Sequence, residues 1–92
     1  MKFEVILSDE AKSDIEKLKK SGNKKALKKL YDLLKELESN PKTGTGRPEQ
    51  LKHYEIPTWS RRISGEHRLV YRVQDDIVTV LVLSAYGHYS DK

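Results

Sequence analysis

An almost unbroken apolar run, Ile77–Leu83, constrains the fold more than any other stretch of this sequence. It is rich in β-branched residues and is interrupted only by Thr79, a pattern typical of a β-strand with apolar side chains on both faces. Such a strand has to be covered on both sides. The run therefore predicts a central strand of a sheet.

Two helices are predicted before this strand. Ser8 is a good N-cap, and Asp9 and Glu10 follow in the first turn, where the helix dipole favours acidic residues. The apolar residues that follow at helical spacing are Ala11, Ile15 and Leu18. This helix is predicted to end at about Lys20, because Ser21-Gly22-Asn23 supplies a glycine stop and the N-cap of the next helix.

The second helix carries a longer apolar stripe. Its members are Leu27, Leu30, Leu34 and Leu37, with Tyr31 and Leu33 widening the stripe. Lysines cluster at its start: Lys24, Lys25, Lys28 and Lys29. Such a cluster is usually a solvated face. Contact with a large polyanion is the alternative. Lysines at the start of a helix oppose its dipole, so helix stability does not explain their placement.

The remaining segments complete the predicted order of elements. Phe3–Leu7 and Leu51–Ile56 are predicted strands, residues 40–48 a loop rich in proline and glycine, and residues 74–76 a turn. With the hairpin described next, the order is β-α-α-β-β-β-β. This order predicts an α+β domain in which a helical hairpin packs on one face of a largely antiparallel sheet.

Residues 59–72 are predicted to form a β-hairpin with a tight turn at Ser64-Gly65. Side chains alternate between the faces of a strand, so burial of the apolar residues holds Arg62 and Arg68 on the opposite face. Guanidinium groups on a rigid strand suit bidentate binding of phosphate. A solvated sheet face is the other interpretation of the same pattern.

Length and composition narrow the class of protein. With 92 residues, the chain is expected to form one domain, residues 1–92. The absence of cysteine favours a reducing cytoplasm, and no window has the length of a signal peptide or a membrane span. The net charge of +4 favours an anionic partner but does not distinguish RNA, DNA and acidic protein.

Few side chains are suited to catalysis. They are Glu49 after the loop, Arg61, Arg62, His67 and Arg68 in the hairpin, and His88 after the last predicted strand. The histidines are far apart in sequence and cysteine is absent, so neither a metal site nor a cofactor is predicted. One carboxylate, one imidazole and several arginines suffice for metal-free phosphoryl transfer on RNA, whose 2′-hydroxyl is the nucleophile. Single surface groups without a catalytic role are the alternative.

Three segments together resemble the YoeB/Txe family of toxins from bacterial toxin–antitoxin modules, within the wider RelE-like group. They are Gly46-x-Pro48-Glu49-x-Leu51-Lys52-His53, the block Trp59-Ser60-Arg61-Arg62-Ile63-x-x-Glu66-His67-Arg68-Leu69-Val70-Tyr71, and His88-Tyr89. Their order and spacing fit the family, and the helical hairpin lies where the family has one. The resemblance implies a RelE-like fold for the whole chain.

The resemblance also implies a ribosome-dependent mRNA endonuclease, which cuts in the ribosomal A site and leaves a 2′,3′-cyclic phosphate. On this sequence it makes Glu49 the general base, Arg68 the residue that stabilises the charged phosphate, and His88 the general acid. Tyr89 would orient the scissile nucleotide. The supporting RNA contacts that it implies are Lys52, His53, Arg61, Arg62 and His67. For His67, a structural hydrogen bond near the hairpin turn is the alternative.

Partners follow from the same resemblance. We expect the 70S ribosome and mRNA, a YefM-like antitoxin whose acidic tail folds over the basic face, and operator DNA only through the antitoxin complex. A homodimer is expected by analogy, and no membrane partner is expected. Two alternatives remain: a ParE-like inhibitor of DNA gyrase, which needs no acid–base pair, and a catalytically inactive RNA-binding domain, which does not depend on Glu49.

Overall fold

The order of elements in the computed structural model, which describes residues 2–87, is the predicted one. Strand β1 (Glu4–Leu7) leads into helices α1 (Asp9–Lys20) and α2 (Lys24–Leu37). The remaining strands are β2 (Glu49–Gln50), β3 (Thr58–Arg62), β4 (Arg68–Gln74) and β5 (Thr79–Ser84), with a 3₁₀ turn at Asp75–Ile77. Neither helix of this part of the chain has the length and apolar character of a membrane span.

The strands form a five-stranded sheet within the described residues, in the order β1-β5-β4-β3-β2. β1 runs parallel to β5, and the other neighbours are antiparallel. The apolar run, predicted to be a central strand, forms the interior strand β5 between β1 and β4, and the middle strand of the five is β4. Val80 and Val82 of this strand are completely buried. The largely antiparallel α+β architecture is confirmed as well.

Both predicted N-caps hold their helices. The Ser8 hydroxyl accepts a hydrogen bond from the Ala11 N–H (3.0 Å) and donates one to the Leu83 carbonyl (3.0 Å), so the cap also fixes α1 to β5. The Asn23 side chain accepts from the Ala26 N–H (3.0 Å). Gly22 between the helices has φ +78°, the left-handed conformation expected of a glycine stop.

The helices cover one face of the sheet. The buried core unites the apolar stripes of both helices with alternate residues of the strands: Ala11, Ile15, Leu18, Ala26, Leu30, Leu33, Leu37, Ile63, Leu69, Tyr71, Val73, Val80, Val82 and Ala85. The predicted place of Tyr31 in the α2 stripe is wrong. Its ring is 45% exposed, and Ala26 is buried instead, because the helix presents its 26–30–33–37 row to the sheet.

Three predicted boundaries are also wrong. Leu51–Ile56 is not a strand. After Gln50 the last backbone contact with β3 is the hydrogen bond from the Leu51 N–H to the Thr58 carbonyl (2.8 Å), and His53 takes a left-handed conformation (φ 70°) that ends an extended chain. The last strand begins at Thr79 because Val78 is left-handed (φ 49°) after the 3₁₀ turn. The hairpin turn is longer than Ser64-Gly65, since pairing ends at Arg62 and Arg68.

Arg61 is a buried arginine that organises the loop between α2 and β2. It lies on the helix-facing side of β3 with no exposed surface. Its Nε donates to the Tyr71 hydroxyl (2.9 Å), and one terminal nitrogen donates to Glu36 (2.7 Å) and to the Thr45 carbonyl (3.3 Å). The other terminal nitrogen donates to the carbonyls of Asn40 and Thr43. Arg61 therefore holds the loop through hydrogen bonds to three of its backbone carbonyl oxygens.

Glu36 and Tyr71 complete this network. The Tyr71 hydroxyl donates to the Pro41 carbonyl (2.8 Å), and Glu36 accepts from the Thr45 N–H (2.7 Å). Burial by itself would raise the pKa of the Glu36 carboxyl, but the hydrogen bonds from Thr45 and the charge of Arg61 outweigh it and lower the pKa. Burial raises the pKa of the Tyr71 hydroxyl. Both groups are therefore held in the protonation state that the network needs at neutral pH.

We expect Arg61→Ala to lower the free energy of unfolding by about 3–5 kcal/mol, because it leaves the partners of a buried charge unpaired. Arg62→Ala is the matched control, since Arg62 is the neighbouring arginine on the opposite, exposed side of β3. Its free energy of unfolding should stay within about 0.5 kcal/mol of that of the parent protein. Urea denaturation of both variants measures the difference, and similar losses in both would contradict the assigned faces.

The lowered pKa of Glu36 predicts an acid-sensitive part of the stability. A carboxylate with a lowered folded-state pKa contributes stability above its ordinary value of 4.5 and loses it as the pH falls through the folded-state value. The difference in free energy of unfolding between the parent and Glu36→Gln should be largest above pH 4.5 and shrink in acid. Denaturant titrations at several pH values measure it; a constant difference would contradict the assignment.

Candidate functional site

The sheet register brings three of the predicted site residues onto one face. Glu49 of β2 lies opposite Ser60 of β3, and Ser60 lies opposite Val70 of β4. Two residues further along, Arg62 and Arg68 are directly opposite each other. Residues that are paired across strands, or are two apart along one strand, share a face. Glu49, Arg62 and Arg68 therefore lie on the face that points away from the helices.

The spacing of this group suits an extended anionic ligand. Neighbouring strands are about 4.8 Å apart, so the backbones of β2 and β4 are separated by about 10 Å, with Arg62 between them. Glu49 and Arg62 are exposed and Arg68 is half-buried. A carboxylate and two guanidinium groups are thus placed on one face of the sheet.

The chain that leaves β5 is bound at the Arg68 end of the hairpin. The carbonyl of Gly87 accepts a hydrogen bond from the Arg68 N–H (3.0 Å), and the N–H of Gly87 donates to Nδ1 of His67 (2.8 Å). The described chain therefore ends beside the two arginines. The predicted general acid His88 and its neighbour Tyr89 lie outside the described residues.

Arg61 and His67 have positions that change their predicted role. Arg61 was expected to contact RNA, but its side chain is completely buried and hydrogen-bonded to the loop, so it has no surface to offer a ligand. His67 is 7% exposed and accepts the hydrogen bond from Gly87, as the structural interpretation expects. Strand alternation explains the difference between Arg61 and Arg62, because neighbouring residues face opposite sides.

Lys52 and His53 are not brought together with the arginines. They are exposed residues of the loop between β2 and β3, at the end of β3 that begins with Thr58. Arg62 is at the other end of this strand, about 13 Å along it at the usual rise per residue. The two residues therefore border the site on the side of Glu49 rather than of Arg68.

Ser60 is a site residue that sequence reasoning did not single out. It lies between Glu49 and Val70 and is 1% exposed, and its hydroxyl has no hydrogen-bond partner within residues 2–87. Ser60 therefore lies on the same face as Glu49, Arg62 and Arg68. Its signals in the sequence are its two-residue spacing from Arg62 and its place in the block that begins at Trp59.

Asp14 is a second residue that the sequence analysis passed over. Its carboxylate accepts a hydrogen bond from the Ala85 N–H (2.9 Å), so α1 holds the backbone just before Gly87. The signal was present in the sequence, because Asp14 interrupts the apolar stripe formed by Ala11, Ile15 and Leu18. A carboxylate on a buried stripe needs a partner, and the partner is the end of β5.

No group of three or more metal-ligating side chains occurs within residues 2–87. What the described face offers is a carboxylate and two guanidinium groups, with a net charge of +4 for the whole chain. This arrangement can hold a phosphate by charge and hydrogen bonds and can accept a proton at Glu49.

Comparison with known proteins gives a consistent result. The model of the YoeB-like toxin of bacterial type II toxin–antitoxin systems matches residues 7–89. Toxin YoeB of Escherichia coli (strain K12) is 45% identical over 67 residues, which cover 73% of this chain and 77% of that protein. The similarity therefore extends over most of both chains.

Three solved structures have the same fold. A YoeB/ParE toxin from Agrobacterium tumefaciens has a TM-score of 0.83 and 31% identity, covering 95% of this chain and all of that one. The YoeB dimer from Staphylococcus aureus has a TM-score of 0.79 and 36% identity, and the heterotetrameric YoeB–YefM toxin–antitoxin complex from the same organism 0.75 and 36%. Both cover 97% of this chain and 100% of theirs.

From this arrangement we predict that Arg62 of the sheet, and not Lys28 of α2, contributes to the binding of a polyanion. Arg62→Ala should weaken binding of a non-cleavable 2′-O-methyl RNA oligonucleotide and reduce the slope of log affinity against log salt by about 0.7, the value for one phosphate contact on a single strand. Lys28→Ala, an exposed cation of α2, is the control and should leave the slope unchanged. If the slope of log affinity against log salt falls in Lys28→Ala and not in Arg62→Ala, the anion binds on the helical face instead.

Proposed function

Because the chain belongs to the YoeB-like toxin family of bacterial type II toxin–antitoxin systems, we propose that it is a ribosome-dependent mRNA endoribonuclease. The observation that carries the proposal is the register that places Glu49, Arg62 and Arg68 on one face of the sheet. A gyrase inhibitor or a passive RNA-binding domain has no use for a carboxylate on the same face as two arginines. A metal-free transfer of a phosphoryl group within RNA requires both kinds of group.

The reaction uses a nucleophile that the substrate supplies. Glu49 accepts the proton of a ribose 2′-hydroxyl, whose oxygen attacks the adjacent phosphorus. The bond from phosphorus to the 5′-oxygen of the next nucleotide breaks, and His88 gives that oxygen a proton. The products are a 2′,3′-cyclic phosphate and a 5′-hydroxyl, and no enzyme nucleophile or redox partner is needed.

The arginines act on charge rather than on protons. As the 2′-oxygen attacks, negative charge grows on the oxygens of the phosphate, and the Arg68 guanidinium stabilises it. Arg62 holds the same phosphate or the next one along the strand. Tyr89 orients the nucleotide that is cut, and Lys52 and His53 contact the flanking RNA on the Glu49 side.

The hydrogen bonds of Gly87 support the role of His88. His88 directly follows Gly87 in the sequence, and the Gly87 carbonyl is hydrogen-bonded to the Arg68 N–H (3.0 Å). Glu49, the proposed base, lies on β2, and Gly87, which precedes His88 in the sequence, is bonded to the Arg68 backbone of β4.

The proposed partners fit the same face. The ribosome presents mRNA in the A site, and the net charge of +4 favours approach to ribosomal RNA. A YefM-like antitoxin with an acidic segment would neutralise the toxin by covering the arginines, and operator DNA would be bound through that antitoxin. A YoeB dimer and a YoeB–YefM complex are known for the Staphylococcus aureus relatives, and we propose comparable assemblies here.

Primer extension on mRNA under translation in a purified system tests the proposal. We expect new 5′ ends within A-site codons. Cleavage should fall about 10²–10⁴-fold in Glu49→Ala and His88→Gln, which lack the base and the acid, and about 10²–10³-fold in Arg68→Ala. Glu10→Gln, an exposed glutamate on the helical side, should cleave like the parent protein.

Circular dichroism of each variant separates lost chemistry from lost folding. Arg68→Ala should keep the parent spectrum, because the residue lies on the face away from the core. Intact mRNA together with blocked supercoiling by DNA gyrase would favour the gyrase inhibitor. Intact mRNA with RNA binding that survives Glu49→Ala would favour the passive RNA-binding domain.

A further inference from the structure

The segment after β5 is held by side chains from two distant parts of the chain. Asp14 of α1 accepts the Ala85 N–H (2.9 Å), and Nδ1 of His67 accepts the Gly87 N–H (2.8 Å). The Gly87 carbonyl in turn accepts the Arg68 N–H (3.0 Å). His67 is thus the side-chain contact closest to the point where the chain continues to His88.

The chemistry of His67 is fixed by its donor. A backbone N–H can only donate, so Nδ1 of His67 must carry its lone pair, and the neutral ring has its proton on Nε2. The ring also lies against Tyr86, with the centroids 4.4 Å apart and an interplanar angle of 34°. Both contacts are directed at the segment that leads to His88.

His67 is itself held firmly. Its carbonyl accepts hydrogen bonds from the N–H groups of Ile63 (3.0 Å) and Ser64 (3.2 Å), and its N–H donates to the Ser64 hydroxyl (3.2 Å). With 7% of its surface exposed, His67 is buried, and its ring is held by the contacts with Tyr86 and with the Gly87 N–H. It is therefore a rigid support for Gly87.

Gly87 needs such a support. It has φ +78°, and a Cβ at this position would meet no atom within 4 Å, so packing does not impose its conformation. Glycine has the largest conformational freedom of any residue. The hydrogen bonds with His67 and with the Arg68 backbone are what define the direction in which the chain leaves residue 87.

We propose that His67 is a positioning residue, which fixes Gly87 against the Arg68 backbone and so supports the proposed phosphate site. This inference rests on the proposed nuclease function. His67 itself does not touch the substrate. A displacement of about 1 Å in a catalytic group is enough to cost on the order of 10²-fold in rate, so loss of this support should lower turnover without loss of RNA binding.

The test compares three substitutions at one position. Asparagine places its side-chain oxygen close to where Nδ1 lies and can accept from Gly87, whereas glutamine places its amide one bond further out and leucine has no acceptor. In His67→Leu and His67→Gln the single-turnover cleavage rate at saturating toxin should fall about 10–100-fold, with the half-saturating toxin concentration unchanged. His67→Asn should recover most of the rate.

Hydrogen exchange at the Gly87 amide is the readout independent of catalysis. Exchange should be slow in the parent protein and in His67→Asn, and at least about 10-fold faster in His67→Leu and His67→Gln. Equal exchange in all four proteins, or cleavage by His67→Leu equal to that of His67→Asn, would overturn the proposal. If His67→Leu fails to fold, the comparison of Asn with Gln still decides it.

The two proposals fail in different ways. If the parent protein cuts no mRNA, the nuclease function is wrong, and the exchange rates still decide whether His67 holds Gly87. If the parent cuts mRNA and Glu49→Ala does not, but all His67 variants cut at the parent rate, the nuclease stands and the positioning role is wrong.

Discussion

The hydrogen bonds of the buried Arg61 guanidinium are the interaction on which the arrangement of the candidate site depends. All five of its N–H donors have a partner: the Tyr71 hydroxyl, the Glu36 carboxylate and three backbone carbonyls of the 40–45 loop. A buried charge is tolerated only when it is paired and fully hydrogen-bonded. The loop is drawn in to satisfy the arginine, and the arginine holds a loop whose buried apolar side chain is that of Pro41.

The consequences reach Glu49 and Arg62. Past the loop, the Gly46 carbonyl accepts the Arg62 N–H (2.6 Å), and an added Cβ on Gly46 would lie 3.0 Å from the Arg62 carbonyl, so only glycine lets the two backbones come this close. This contact starts the pairing that continues as β2, and β2 carries Glu49. The network on the helical face thereby sets the position of the Glu49 carboxylate on the opposite face. The sheet separates the buried charge of Arg61, which stabilises the fold, from the exposed charges of Glu49 and Arg62, which can bind a ligand.

The described residues of the candidate site lie at the edge of the sheet or at the ends of strands. Glu49 comes from the edge strand β2, Arg62 and Arg68 from the ends of a hairpin, and Gly87 from the chain beyond β5. Each is fixed by backbone hydrogen bonds or by a side chain from elsewhere, such as Asp14 and His67. The interior of the sheet provides a rigid support, whereas the candidate catalytic groups lie where strands end. At these positions a carboxylate and guanidinium groups remain hydrated and accessible to a ligand.

The sequence by itself determined the element order, both N-caps, the interior strand and the separation of Arg62 and Arg68 from the core. These features follow from local periodicity and from capping chemistry, which act between residues close in the chain. Only the tertiary structure decided that Arg61 is buried, that Ser60 lies beside Glu49, and that Asp14 and His67 hold the end of β5. Strand alternation places Arg61 and Arg62 on opposite faces, but it does not show what Arg61 binds. Its partners include the carbonyls of a loop some 20 residues away, and backbone carbonyls have no side-chain signature in the sequence.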